Sequence, residues 1–296
     1  MSCIEDGGNL AMKDNRPFRL GRIDYANAWP LFHYISEETA DGLEIVRDVP
    51  SGLNRALQTG DIDMSAISSF SYAENADRYY ILPDLSVSSP SRVNSILLFL
   101  NKPLDEVLCG TIAVTNTSAT SVNLLRILME QRFGGAPKYV TQPPNLDAML
   151  TNADAALLIG DPAIRASWQQ RGGTVLDLGE LWRNWTGHGM TFALVAVRRE
   201  LAPSAAHVIE RIYRAMQDSK RRSLQELEPL VSKARTLIGG TAEYWHRYFT
   251  ELKFDFGPRE QAGLQLYYDY AYELGLLKRK VKMEYWPTIS AVQVNE

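Results

Sequence analysis

Cysteine is nearly absent: Cys3 and Cys109 are the two in 296 residues, and no Cys-x-x-Cys spacing joins them. A disulfide framework and a cysteine-built zinc site are thereby excluded. The four histidines, His33, His188, His207 and His246, are scattered. No His-Glu-x-x-His, phosphate loop, Gly-x-Gly-x-x-Gly or Gly-x-Ser-x-Gly elbow occurs. The usual signatures of zinc hydrolases, nucleotide binders and serine hydrolases are therefore missing. No apolar run reaches the roughly 18 residues of a membrane span. The polar start from Met1 to Arg16 lacks the apolar stretch of an export signal. Nor is there an excess of positive charge: the net charge of −4 disfavours a phosphate-backbone partner. The one basic concentration, Lys278, Arg279, Lys280 and Lys282, reads as a solvated helix end. The expectation is a cytoplasmic protein with no membrane or nucleic-acid partner, no metal and no organic cofactor. The oligomeric state is left open, a homodimer included.

What is present is a long alternation of short apolar runs and helical periodicity. Phe18 to Ile23, Leu43 to Val46 and Ile62 to Ile67 read as strands. Between them, helices start at Trp29-Pro30 and near Ser51, the second stopped by Gly60. This spacing is that of a parallel sheet with crossover helices. Arg92 to Leu100 follows as an extended run whose apolar continuity implies burial on both faces. The pattern then restarts with strands at Thr111–Thr115, around Tyr139 and at Ala155–Ile159, and a second long apolar strand at Thr191–Val197. Beyond Pro203 only helices are expected: His207–Ser223, Glu226–Leu237, Thr241–Leu252 and Pro258–Leu276.

A chain of this length rarely builds one core. The layout is α/β: two βα lobes joined by two crossing strands, with a helical C-terminal segment, the wiring of type 2 periplasmic-binding-protein-like folds. The expected division is a tail at 1–16, a discontinuous first lobe at 17–102 and 199–296, and a second lobe at 103–198.

In such sheets ligands bind beyond the carboxyl ends of the strands, and here those ends carry small polar residues. The first strand runs into Asn27, the third into Ser68 and Ser69, the Thr111 strand into Thr117, Ser118, Ala119, Thr120 and Ser121, and the Ile159 strand into Gly160 and Asp161. Each precedes an expected helix whose first amides lack partners and favour an anion. Plain helix capping is the alternative for every one of these Ser, Thr and Asp residues. His188 is expected in a cleft-side loop, and the Trp and Tyr residues from Tyr244 to Tyr272 recur at core-packing spacing. On these residues alone the chain carries an anion-binding cleft.

The same segments resemble a known family. Asp24-Tyr25-Ala26-Asn27-Ala28-Trp29-Pro30-Leu31, Val49-Pro50-Ser51-Gly52-Leu53-Asn54-Arg55-Ala56-Leu57 and Gly60-Asp61-Ile62-Asp63 match it in order. So do Ile67-Ser68-Ser69, Ser95-Ile96-Leu97-Leu98-Phe99, Ser118-Ala119-Thr120-Ser121-Val122, Leu158-Ile159-Gly160-Asp161 and Asp177-Leu178-Gly179…Trp182…Thr186-Gly187. The family is chorismate dehydratase of the futalosine route to menaquinone, and the likeness spans about Phe18 to Leu276. After Gly187 this chain has His188-Gly189-Met190-Thr191 where the family usually continues with a Leu-Pro-Phe type run.

The resemblance implies loss of water from chorismate, a small dicarboxylate partner, without a cofactor. It implies catalytic roles for Asn27, Ser68 and Asp161. Substrate binding would fall to Ser69, Ser95, Thr117, Ser118, Ala119, Thr120, Ser121, Gly160, Thr186 and His188. Two other readings stand beside it: a non-catalytic small-carboxylate-binding protein of the same fold, and a family enzyme for a related cyclic acid.

Overall fold

The computed structural model describes residues 16–169, 173–201 and 204–287. The expected N-terminal tail lies outside them except for Arg16, whose guanidinium forks onto the buried Asp63 at 2.8 and 2.5 Å. The first stretch runs β1 (Phe18–Ile23), a 3-10 turn (Ala26–Ala28), α1 (Trp29–Phe32), β2 (Leu43–Asp48), α2 (Pro50–Thr59), β3 (Met64–Ser68), α3 (Ser69–Glu74) and β4 (Tyr79–Ser89). The second runs β5 (Ile96–Leu100), α4 (Leu104–Val107), β6 (Thr111–Thr115), α5 (Ala119–Ile127), β7 (Lys138–Gln142) and α6 (Leu146–Thr151). It continues through β8 (Ala155–Ile159), α7 (Gly160–Gln169), β9 (Val175–Asp177) and α8 (Leu178–Thr186). Then come β10 (Met190–Arg198), α9 (Ala206–Gln225), α10 (Glu228–Leu237), α11 (Ala242–Glu251) and α12 (Pro258–Glu273).

Two five-stranded sheets result, ordered β2-β1-β3-β10-β4 and β7-β6-β8-β5-β9. In each, three parallel strands joined by helical crossovers are flanked by antiparallel ones. The central strands β3, β5 and β8 are buried throughout. That burial is why β5 and β8 read as unbroken apolar runs rather than alternating ones.

The strand pairing moves the expected lobe boundaries. β5 pairs antiparallel with β8 and so belongs to the second sheet, while β10 pairs with β3 and β4 in the first. The crossings are therefore the segments 90–95 and 187–189, ahead of those two strands. They run against each other: a Cβ on Gly189 would lie 2.8 Å from the Ser89 carbonyl oxygen. Strand β4 was not anticipated. Pro83 and the positive φ of Asp84 (53°) interrupt its pattern, and its pairing with β10 shifts register twice.

The C-terminal helices do more than cover the first sheet. From α12, Tyr267 donates to the Thr120 carbonyl (3.1 Å) in the second lobe and Tyr268 to the Ser69 carbonyl (2.7 Å) in the first. Trp182 of α8 packs edge-on against Tyr267, and Trp185 stacks on Tyr270. On α11, Trp245 meets Trp168 of α7 edge-to-face, and Tyr248 donates to Ser95 Oγ at 3.0 Å. Of the aromatics expected to be core, Trp245, Tyr248, Tyr267 and Tyr268 are buried and fasten both lobes, while Tyr272 at the end of α12 is exposed. Helix α12 ends at Glu273, so the basic stretch at 278–282 follows the helix rather than closing it. No described helix is long and apolar enough to cross a membrane.

Candidate functional site at the lobe junction

Contacts between the strand-to-helix junctions bring the carboxyl ends of the two sets of parallel strands together, and four such junctions meet there. On α3, the Ser68 hydroxyl caps the helix by accepting from Ser71 N–H (3.2 Å), while the Ser68 N–H is held by Asn54 Oδ1 (3.0 Å). Ser69 is fully buried and donates to the Thr191 carbonyl at 2.8 Å. Its single proton is thus committed, so the 3.2 Å contact with Thr120 has the Thr120 hydroxyl as donor. Thr120 Oγ1 also accepts the Phe70 N–H at 3.0 Å, an amide that α3 itself leaves without a partner. This couple welds α3 of one lobe to α5 of the other.

At the head of α5, Ser118 accepts from Ser121 N–H (3.2 Å) and donates to Ser121 Oγ (3.0 Å). Thr117 Oγ1 lies 2.8 Å from Thr115 Oγ1 and takes a side-chain hydrogen bond with Tyr25. The first amides of α5, on Ala119 and Thr120, have no protein partner among the described residues, as expected for a helix start. They remain available to an anion.

The α7 junction is fixed from both sides. Gly160 N–H donates to the Ser95 carbonyl at 2.7 Å, and its positive φ of 62° is one that a side chain would strain. The Tyr25 ring packs where a Gly160 Cβ would be, 2.7 Å away. Asp161 Oδ1 accepts the Ala26 N–H at 3.0 Å across the junction. Burial pushes the Asp161 carboxyl up to about 6, against the opposing pull of that hydrogen bond and of Arg165 and Lys233.

Of the strand-end residues named from the sequence, Asn27 is the one with a buried side-chain atom left unmet. The Asn27 side-chain oxygen, on the turn between β1 and α1, is buried and has no hydrogen-bond partner among the described residues. A buried amide oxygen of this kind costs about 1–3 kcal/mol unless something meets it. Beside the α3–α5 weld, a cleft of about 340 Å³ opens between the lobes, lined by Ser51, Asn54 and Ser71 on one side and Asn116, Ser118 and Asn123 on the other.

Asn27, Ser68, Ser69, Thr117 to Ser121, Gly160 and Asp161 are therefore gathered at one junction. Ser95 lies beneath it and supports Gly160 through its carbonyl. Thr186 and His188 are elsewhere. The Thr186 hydroxyl donates to the Trp182 carbonyl (2.9 Å) and accepts the His188 N–H (3.1 Å), forming the end of α8 at the crossing. Neither lines the cleft. Ser51 caps nothing: α2 starts at Pro50, and Ser51 and Asn54 face the cleft one turn apart. Their i, i+3 spacing was a signal that sequence reasoning passed over.

Comparison with known proteins places this architecture. The fold is similar to that of a protein from Archaeoglobus fulgidus (TM-score 0.70, 22% identity, 88% of this chain and 98% of that one). It is also similar to the periplasmic aliphatic sulphonate-binding protein SsuA of Escherichia coli (TM-score 0.63, 19% identity, 90% and 95%). The class is thus the periplasmic-binding-protein-like fold, as the sequence layout implied. More narrowly, a family model described as menaquinone biosynthesis matches residues 18–273, and the chain belongs to that family. Within it, the chain is 32% identical over 267 residues to the chorismate dehydratase of Thermus thermophilus, covering 85% of this chain and 94% of that protein.

Proposed function

We propose that this protein is a chorismate dehydratase acting in the cytoplasm, eliminating water from chorismate to give 3-[(1-carboxyvinyl)oxy]benzoate at the start of the futalosine route to menaquinone. The kinship with the Thermus thermophilus enzyme extends over nearly its whole length. The observation that carries the reading into the site is the unpartnered, buried amide oxygen of Asn27 at the lobe junction.

The proton that leaves is on the ring carbon bearing the enolpyruvyl ether. Its removal pushes charge through the conjugated ring into the ring carboxylate. The Ala119 and Thr120 amides at the head of α5 suit that carboxylate: fixed dipoles stabilise the growing charge without reorganising. The neighbouring ring C–O bond then breaks, hydroxide departs with a proton as water, and the ring becomes aromatic. Asn27 receives the departing hydroxyl, whose O–H satisfies the orphaned amide oxygen. The proton acceptor is the substrate's own enolpyruvyl carboxylate. Asp161 is committed to Ala26 through one oxygen and is a rim residue rather than the base. Ser69 and Thr120 hold the lobes in register, since both hydroxyl protons are already donated within the protein.

Incubating the purified protein with chorismate tests the reading. A new aromatic absorbance, with a product mass lower by one water, is expected. Unchanged chorismate in the presence of folded protein would overturn it.

A further inference from the structure

Arg22 is 6% exposed, and among the described residues its guanidinium makes no hydrogen bond. Its nearest anion is Asp24, whose Oδ1 lies 3.9 Å from Nε, beyond hydrogen-bond reach. Arg47, paired with Arg22 across the β1–β2 register, approaches the same oxygen at 3.5 Å. The backbone of Asp24 accepts from the Trp29 indole N–H at 3.0 Å, and the Lys233 ammonium of α10 sits 4.1 Å over that indole ring. Two guanidiniums thus approach one half-exposed carboxylate at the carboxyl end of β1, a few residues before Asn27, with the Lys233 ammonium on the neighbouring indole. A buried guanidinium with unmet donors is costly, and proteins keep such a group where a ligand completes it.

We propose that Arg22, backed by Lys233, is a carboxylate-binding subsite that takes the second carboxylate of the substrate. This rests on the dicarboxylate reading above and completes it. The α5 amides offer dipoles to one carboxylate, while the hydroxyls of Ser69 and Thr120 are closed off; Arg55 lines the cleft as an exposed cation, whereas Arg22 is buried with no hydrogen bond among the described residues. Arg22 supplies a full positive charge with planar, paired donors of the shape a carboxylate accepts. Lys233 has its pKa lowered by burial first and then by Arg22, as expected for cations crowded together before an anion arrives.

The test compares the diacid product, 3-[(1-carboxyvinyl)oxy]benzoate, with the monoacid 3-hydroxybenzoate as ligands of the full-length protein. Wild type is expected to bind the diacid more tightly. Arg22→Met should weaken the diacid by about 10–100-fold and the monoacid by far less, the scale of a lost charge-assisted hydrogen bond. Lys233→Met, which removes a half-buried side chain on a helix surface and leaves the fold intact, should weaken the diacid about threefold to tenfold and raise KM for chorismate with little change in kcat. Arg221→Met, the same change of net charge on the exposed face of α9, should alter neither ligand. Equal weakening of both ligands in the Arg22 and Lys233 variants, or no weakening of either, overturns the subsite. Failure of the wild type to dehydrate chorismate would instead overturn the functional reading, so the two outcomes are separable.

Discussion

Two polar regions meet at the lobe junction and differ in one respect. Along the α3–α5 seam the hydroxyls of Ser68, Ser69, Thr120 and Ser118 all have partners: Ser68 caps α3, Ser69 reaches the Thr191 carbonyl, Thr120 holds both Ser69 and Phe70, and Ser118 pairs with Ser121. At the end of β1, the buried Asn27 Oδ1 and the buried Arg22 Nε meet no hydrogen-bond partner among the described residues. Satisfied polar groups hold a structure together, and unsatisfied ones cost stability until a ligand arrives. The seam is thus the joint, and the β1 end is where chemistry is expected. The aromatic straps from α12 and α11 support the joint from behind, so this binding-protein-like fold holds its lobes together through its own C-terminal helices.

The strongest way to break that contrast is Asn27→Ala. Turnover of chorismate should fall by about 100-fold or more, the scale of losing one oriented group at a reacting oxygen. The melting temperature should hold or rise, because an unmet buried amide is removed with the side chain. Undiminished turnover would take Asn27 out of the site. Thr120→Val makes the opposite expectation. It leaves the Phe70 N–H and Ser69 Oγ facing a methyl, at a cost of about 2 kcal/mol, or about 4–8 °C in melting temperature. Thr120→Ser should restore most of that loss. Turnover per folded molecule in Thr120→Val should stay within about tenfold of wild type, since the Thr120 amide remains. Loss of activity without loss of stability would turn the seam into a site and end the distinction.

Much of the fold could be read locally. β1, β6 and β8 begin and end where their apolar runs do, Ser118 caps α5, and Gly60 closes α2 with a left-handed φ of 89°. Those features depend on neighbours in the chain. The lobe to which β5 and β10 belong does not, because an apolar run carries no label for its partner strand. β4 was hidden for a local reason, Pro83 followed by the positive φ of Asp84. In the candidate site, the strand-end rule named junctions that the fold brings together but ranked their residues by chemical type. Whether a hydroxyl has a free proton depends on contacts such as that between Ser69 and the Thr191 carbonyl, 122 positions apart. Arg22 reads as an ordinary strand residue until its burial is known.

Smaller effects probe the α7 side of the junction, where the two regions join. Gly160→Ala must place a side chain at φ 62° and against the Tyr25 ring. A loss of about 1–3 kcal/mol is expected, measured by denaturant midpoint. KM should rise more than kcat falls, because Tyr25 and its Thr117 contact move together. An unaltered midpoint would mean that Tyr25 yields freely and does not fix the junction.

Asp161 gives the smallest effect and the clearest pH signature. Its carboxyl is raised from 3.8 to about 6, chiefly by burial. Between those values the folded state holds a proton that the unfolded state has released, so this residue makes stability fall as pH rises, with the full cost present above about pH 6. Asp161→Asn keeps an oxygen for the Ala26 N–H and removes the buried charge. The variant should therefore be more stable than wild type by about 1–2 kcal/mol at pH 7, and the two melting curves should converge below about pH 4. If turnover survives in that variant with its pH profile unchanged, Asp161 belongs with the seam, as a carboxylate that fastens α7 to the β1 turn. If turnover is lost while binding of the product is intact, Asp161 joins Asn27 among the groups that do the chemistry, and the boundary between joint and site moves one residue into α7.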